Sequence, residues 1–270
     1  MASYSSQEVI AMMNNVDFGK TAQDYRRHRA GFPEDYFARV APYGIGIRHQ
    51  RLLDVGTGTG TVARGFARRG CRVIGIDPST ELMEQAKALD AEAGVAVDYR
   101  KATAEDTALA DASVDVVTAG QCWHWFKRDA AAREAWRVLR DGGALVISHF
   151  DWLPLKGNVV EATEALILKH NPDWKLAGGR GVYPWWFSDL AIAGFRGIES
   201  FSFDIDVPYS HESWRGRIRA SAGVAASLPP EAVEKFDREL AQLLASDFPA
   251  EPLAIPHRVF TVLGRKQLEN

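Results

Sequence analysis

The sequence predicts a doubly wound α/β domain. Two observations carry that prediction. Strand-like apolar runs and amphipathic helical stretches alternate from residue 51 to residue 150, which favours a parallel sheet with right-handed crossovers. Residues 52–60, LLDVGTGTG, read as a strand entering a glycine turn, and a second apolar run, VIGID, closes on Asp77 about twenty residues later. A strand, a glycine turn, a helix and a strand ending in a carboxylate form the arrangement that holds adenosine-containing cofactors in this architecture.

The elements follow in order. Residues 7–42 are expected to be helical, with a break at Gly31-Phe32-Pro33. RLLDV (51–55) is the first strand. TVARGFARRG (61–70) places Val62, Phe66 and Ala67 at helical spacing and stops at Gly70. RVIGID (72–77) is a short buried strand. A helix over 79–92 puts Leu82, Ala86 and Leu89 on one face, with Ser79 or Thr80 as cap. VAVDYRKA (95–102) alternates as a strand does, and SVDVVTAG (113–120) is a near-continuous apolar run typical of a central parallel strand. A helix from Asp129 to Leu139 is expected to end at Asp141-Gly142-Gly143, before the fifth strand ALVISHF (144–150).

Beyond Asp151 the pattern changes. A helix near 158–170 precedes a loop-rich aromatic stretch, NPDWKLAGGRGVYPWWF, with no clean strand before residue 190. IESFSFDIDVPYS (198–210) alternates as a strand. Helices are expected over 212–227, burying Trp214, Ile218 and Ala222, and over 230–247, burying Val233, Phe236, Leu240 and Leu244. HRVFTVLGRK (257–266) is a final strand. Of eight tryptophans, three lie in 123–136 and four in 152–186, so the aromatic chemistry is concentrated after the fourth strand and in the stretch after the fifth.

Composition narrows the class. The chain has 270 residues, 46% hydrophobic and 25% charged, the range of a water-soluble globular protein. A net charge of -3 offers no general attraction to nucleic acid. Cys71 and Cys122 lack metal-ligand spacing, and a reducing, cytoplasmic setting suits them. The first residues, MASYSSQEVIAMMNN, lack the charged start and apolar core of a signal peptide, and no stretch reaches the ~20 apolar residues of a membrane span. No metal, nucleic-acid or membrane partner is expected.

The chemistry of the turn selects among cofactors. Gly56, Gly58 and Gly60 form G-x-G-x-G, and Thr61 stands where a dinucleotide fingerprint wants its third glycine. Asp54 lies two residues before the first glycine, where it would repel a pyrophosphate. A cofactor carrying a sulfonium and an ammonium suits that carboxylate, and S-adenosylmethionine (SAM) is such a cofactor. Asp77 can accept from both ribose hydroxyls of either ligand. A ligand-free glycine turn is the plain alternative.

Several segments together carry a family resemblance: FGKTAQDYRRHRAGFP (18–33), LLDVGTGTGTVA (52–63), VIGIDPSTELMEQAK (73–87), ATAEDTALADASVDVVTAGQCWHWF (102–126) and AWRVLRDGGALVIS (135–148). The C-terminal part, 213–237 and 256–266, extends it. The chain resembles the class I SAM-dependent methyltransferases of the type 11 group, within it the small-molecule enzymes related to trans-aconitate methyltransferases. The resemblance implies a Rossmann-like seven-stranded sheet with its last strand antiparallel. It also implies a helical lid over 1–45, a SAM-binding core over 46–150, a substrate cap over 151–197 and closing elements over 198–270.

The same resemblance places the cofactor contacts. Asp54, Gly56, Gly58 and Gly60 would pass under the methionine part of SAM, with Thr57 or Thr59 available to bond it. Asp77 would hold the ribose, with Pro78 and Ser79 at the border of the adenine. Ala104 and Glu105 would meet the adenine edge, the backbone at N1 and the carboxylate at N6. The Gln121 carbonyl would take the ammonium, and Tyr25 and Arg29 would close over the SAM carboxylate. Tyr25 and Arg29 also suit an ordinary packed helix face, and Glu105 a solvated helix start. Where relatives carry Gly-Asp before Ala-Glu, this chain has Ala102-Thr103, which removes one adenine-side carboxylate.

Methyl transfer from a sulfonium is an in-line displacement in which the protein aligns the nucleophile and excludes water. A phenol, alcohol or thiol also needs a base, whereas a carboxylate does not. His124, in Cys122-Trp123-His124-Trp125-Phe126, is the candidate catalytic residue, with a packing role as the alternative. Trp123, Trp125, His149, Trp152, Tyr183, Trp185 and Trp186 are candidate substrate contacts, aromatic walls suited to a flat or cationic acceptor, unless they only pack the cap. Arg215, Arg217 and Arg219 alternate along a helix and are expected mainly in solvent. The leading function is methylation of oxygen or nitrogen on a small molecule, yielding S-adenosylhomocysteine, by a monomer or homodimer. Protein or nucleic-acid methylation and non-catalytic SAM binding are the alternatives. The former would favour a basic patch or an N/D-P-P-Y/F motif, where this chain reads GQCWHW.

Overall fold

The structure is a computed structural model that describes residues 31–267. Tyr25, Arg29 and most of the expected lid lie outside the described residues. The chain forms a seven-stranded mixed sheet with the order β3-β2-β1-β4-β5-β7-β6 and the last strand antiparallel. The strands are β1 (Arg51–Val55), β2 (Arg72–Asp77), β3 (Asp98–Lys101), β4 (Val114–Gly120), β5 (Leu139–Trp152), β6 (Arg196–Tyr209) and β7 (Leu253–Arg265). The parallel register pairs Leu52 with Val73, Leu53 with Val117, and Val117 with Leu145. Strand order reverses between β1 and β4, so the carboxyl ends of those two strands form the switch point where ligands bind in doubly wound sheets.

Eight described helices accompany the strands: α1 (Glu34–Val40), α2 (Thr61–Arg68), α3 (Thr80–Ala93), α4 (Arg128–Val138), α5 (Val159–His170), α6 (Trp185–Ile192), α7 (His211–Arg219) and α8 (Pro230–Asp247). Of the two expected caps for α3, Ser79 takes the role, its Oγ accepting from the Leu82 amide at 3.3 Å. α1 is firmly packed: Tyr36, Phe37 and Val40 are buried, and the Ser148 hydroxyl bonds the Tyr36 phenol at 3.1 Å.

Several boundaries differ from the sequence reading. The strand expected over 95–102 shortens to β3, a sheet-edge strand paired on one side only. The helix expected to end at Asp141-Gly142-Gly143 ends at Val138, because Leu139 already pairs with Val114. Residues 140–143 form the surplus of a bulge before Ala144 meets Val116. The helix expected over 212–227 stops at Arg219. Beyond it Gly223 fits so closely that a Cβ there would come 2.8 Å from Ile167 and 3.0 Å from Trp174. α6 arises inside the stretch read as loop, and β7 begins four residues early. Leu89 is only half-buried, and Asp90 is buried near it against Arg64 at 2.7 Å.

The described residues form two compact units. The larger comprises Gly31–Phe150, Tyr183–Ser202 and the chain from Val259 onward; the smaller comprises Asp151–Val182 and Phe203–Arg258. The expected cap, 151–197, is thus divided, its first part in the smaller unit and 183–197 in the larger. The core of the larger unit gathers Leu53, Val55, Val117, Trp123, Leu145 and Trp186. That of the smaller unit gathers Ile167, Trp174, Trp214, Phe236, Leu240 and Ile255.

Candidate active site

The glycine turn follows β1, and its three glycines all adopt positive φ, at +60°, +55° and +75° for Gly56, Gly58 and Gly60. Their surroundings differ. A Cβ on Gly56 would meet Cys122 and Phe126 at 2.9 Å, and one on Gly60 would fall 2.2 Å from the Tyr99 hydroxyl. A Cβ on Gly58 would meet nothing within 4 Å. Gly56 and Gly60 are therefore demanded by packing, and Gly58 is the turn position with room for a ligand.

Two carboxylates frame this turn. Asp77, at the end of β2, accepts from the Gly58 amide through Oδ2 and from the Ser79 amide through Oδ1, each at 2.9 Å. Those bonds stabilise its charge, yet burial outweighs them and raises its pKa. Asp54 is buried in β1, its oxygens accepting from the Thr57 and Thr118 hydroxyls at 2.7 Å each. Burial raises its pKa from 3.8 to about 6 against the pull of those hydroxyls, and the Asp77 charge pushes the same way. Thr57 and Thr59 are both buried, and the Thr57 hydroxyl is committed to Asp54.

The end of β4 supplies the opposite side. Gln121 has φ +60°, uncommon for a residue other than glycine, and its amide donates to the Ser148 carbonyl at 2.8 Å. Next comes the short helical turn Trp123–Trp125, which carries His124. His124 Nδ1 lies 3.1 Å from His149 Nε2, and His149 Nδ1 lies 3.1 Å from the Tyr183 hydroxyl. Three side chains from β4's exit, the β5 end and the segment before α6 thus form one hydrogen-bonded chain. Trp125 packs against the His124 ring at 4.6 Å, and Trp186 stacks on Tyr183 at 4.2 Å and 4°.

The remaining expected site residues fall in varied places. Ala104 is buried, and Glu105 Oε1 accepts from the Lys127 amide at 2.8 Å. Pro78 is exposed and Ser79 half-buried. Trp123 and Trp186, expected against substrate, are fully buried core residues, and Trp123 Nε1 donates to Asp189 at 2.9 Å. Trp185 is 43% exposed. Trp152, in the smaller unit, donates to the buried Glu164 at 2.7 Å and packs on Trp214. The Tyr183–His149–His124 chain and the Asp54–Thr118 bond were not visible in sequence. Among the described residues, no three His, Cys, Asp or Glu side chains form a group able to hold a metal ion. No described helix is long and apolar enough to cross a membrane.

Comparison with known proteins identifies the lineage. The family model described as "Methyltransferase domain" matches residues 53–147. An uncharacterized methyltransferase of Mycobacterium bovis is 33% identical over 131 residues, which are 48% of this chain and 51% of that protein, so the chain spans about half the length of such relatives. A ubiquinone biosynthesis O-methyltransferase of Xanthomonas axonopodis is 37% identical over 187 residues, 68% of this chain and 74% of that protein. The chain belongs to the class I SAM-dependent methyltransferases. This methyltransferase also shares its fold with a Haemonchus contortus phosphoethanolamine N-methyltransferase, solved with phosphomonomethylethanolamine and S-adenosylhomocysteine. The TM-score is 0.56 at 19% identity, covering 98% of this chain and 61% of that one.

Proposed function

We propose that the chain transfers a methyl group from SAM to an oxygen or nitrogen of a small molecule, releasing S-adenosylhomocysteine. The observation that carries this reading is the Asp54–Asp77 pair around the turn that opens at Gly58. Two neighbouring acids, each raised by burial, favour a ligand bearing positive charge and oppose a pyrophosphate. Asp77 keeps lone pairs beyond its two amide bonds for ribose hydroxyls. The Gln121 carbonyl suits an ammonium, and Ala104 and Glu105 an adenine edge. When bound, the cofactor supplies a methyl group already activated on a sulfonium.

The chain's own residues then position the acceptor and manage its proton. His124 takes the proton of an oxygen or nitrogen acceptor. In one tautomeric arrangement His124 Nδ1–H donates to His149 Nε2, and His149 Nδ1–H donates to the Tyr183 hydroxyl, which places the basic lone pair of His124 on Nε2. The imidazolium formed keeps its bond to His149, so proton uptake requires no rearrangement. Trp125 and Trp185 offer apolar walls that limit water.

Net charge and the small molecules in the names of two compared proteins support a small-molecule acceptor over nucleic acid. The reading includes a metal-independent reaction in the cytoplasm by a monomer or homodimer. The test is S-adenosylhomocysteine release over a panel of phenols, small acids and N-heterocycles, with SAM affinity measured by calorimetry. Saturable NAD binding without SAM binding would overturn the reading.

A further inference from the structure

Helix α7 carries Arg215, Arg217 and Arg219 at alternate positions, and the three meet different fates. Arg215 Nε donates to Asp237 Oδ1 at 3.1 Å, and Arg219 Nη1 donates to the same oxygen at 2.8 Å. Glu212 lies 3.3 Å and 3.6 Å from those two guanidinium groups. Arg217 turns elsewhere. Its Cζ sits 4.7 Å over the Trp152 ring, and among the described residues no carboxylate stands within ion-pair distance of it. Asp151 acts on it only through space, and burial lowers its pKa.

Tyr209 stands beside it. The residue is 5% exposed, and its buried hydroxyl makes no well-formed hydrogen bond, although it lies close enough to the guanidinium to favour the charge. Its ring lies parallel to the His257 imidazole at 6.1 Å and 18°. His257 is buried with its pKa near 4, so it is neutral at physiological pH and adds no second cation. Its Nδ1 is 2.9 Å from the Ile255 carbonyl.

We propose that Arg217 and Tyr209 form an oxyanion receptor in the smaller unit, taking the carboxylate or phosphoryl group of a small organic anion. Arg217 is half-buried, so its guanidinium loses part of its hydration without gaining a counter-ion, and a bound anion offsets that loss. A guanidinium covered on one face by an indole still presents its in-plane N–H donors, the geometry that matches carboxylate and phosphate oxygens in bidentate fashion. The Tyr209 hydroxyl adds a donor. Asp151 weakens the attraction for anions, which favours ligands that bond the guanidinium directly over diffuse counter-ions. Anion binding at this pair is separate from methyl transfer and requires no cofactor.

The experiment titrates the full chain with succinate and, separately, inorganic phosphate against chloride at constant ionic strength. Heat of binding and thermal stabilisation are both read, in the absence of SAM. Saturable binding of one anion is expected, and whether succinate or phosphate is preferred identifies the group recognised. Arg217→Gln should weaken it at least tenfold, Tyr209→Phe several-fold, and Arg215→Gln, on the ion-paired face, not at all. Absence of saturable binding, or equal affinity in Arg217→Gln, overturns the receptor. Should Arg217→Gln fail to fold, Arg217→Lys and Tyr209→Phe decide, and unchanged affinity in both overturns it. Because SAM is absent, loss of this receptor and failure of the methyl-transfer reading are separate results.

Discussion

Replacing Asp54 by Asn is expected to stabilise the ligand-free protein at neutral pH while weakening its hold on SAM. Burial moves the Asp54 pKa from 3.8 to about 6. An acid whose folded pKa exceeds its unfolded value binds its proton more tightly in the native state. Its stability contribution is therefore complete below pH 3.8 and is lost as pH rises through about 6. That interval corresponds to about 3 kcal/mol at 1.36 kcal/mol per pKa unit. Asn cannot ionise, and the Thr57 and Thr118 hydroxyls can rotate to donate or accept, so both contacts survive the change. In urea denaturation from pH 4 to pH 7.5, the Asn variant should gain on wild type, with the gap widening by up to about 3 kcal/mol. A stability difference that stays flat across that range would falsify the argument. Binding gives the second arm. A cationic ligand should pull the Asp54 pKa down, so SAM binding near pH 6 should release protons in wild type and fewer in the variant. Equal buffer dependence of the binding enthalpy in both proteins would count against Asp54 sensing the ligand's charge.

Three further outcomes follow from the same geometry. Asp77→Ala should weaken SAM binding by roughly 1.5–3 kcal/mol in calorimetry, as for lost charge-assisted hydrogen bonds, and unchanged affinity in a folded variant would remove Asp77 from the site. His124→Asn should cut methyl transfer to a protonated acceptor by on the order of 10²–10⁴ with SAM affinity preserved, and remove the limb of the pH–rate profile near neutrality. Retention of both rate and limb would assign His124 to packing. Gly60→Ala should destabilise the fold by about 3 kcal/mol through its positive φ and the Tyr99 clash. Gly58→Ala should cost only about 1–2 kcal/mol of folding and act mainly on SAM binding; equal loss of stability in both would contradict the division of roles within the turn.

What the sequence made legible was local. The strand–turn–strand unit from Arg51 to Asp77 needs only apolar runs, three glycines and a terminal acid, all adjacent in the chain, and it forms as expected. Ser79 as a helix cap is equally local. The features that were not legible depend on partners far along the chain. Asp54 reads as a cofactor-side acid from its own segment, whereas its bond from Thr118, on β4, could not be read there. His124 follows the end of β4 and His149 lies three residues before the end of β5, but their 3.1 Å contact exists because β4 and β5 pair in parallel with Gly120 opposite Ser148. The alternation of three arginines was visible, whereas Asp237, which separates Arg215 and Arg219 from Arg217, comes from another helix. Trp123 and Trp186 look like binding aromatics by composition, and only the packing of the larger unit reveals them as core.

The acid pair also bears on the proposed fit between the turn and a sulfonium cofactor. Asp54 is the penultimate residue of β1 and Asp77 the last of the neighbouring β2, and neither forms an ion pair with an arginine or lysine among the described residues. Neutral donors hold both: two hydroxyls for Asp54, two amides for Asp77. Arg64, the basic side chain of the turn's own helix, is instead directed to Asp90 and to the Thr59 carbonyl. A protein that needed only stability could place apolar side chains at these positions and lose the desolvation cost. Under the proposed function, two acids without a cationic partner would leave a site whose charge a cation balances, so that binding would relieve a cost already present in the fold. A dinucleotide pyrophosphate would raise that cost. The electrostatics of the turn thus point the same way as its glycine spacing, through an independent physical term.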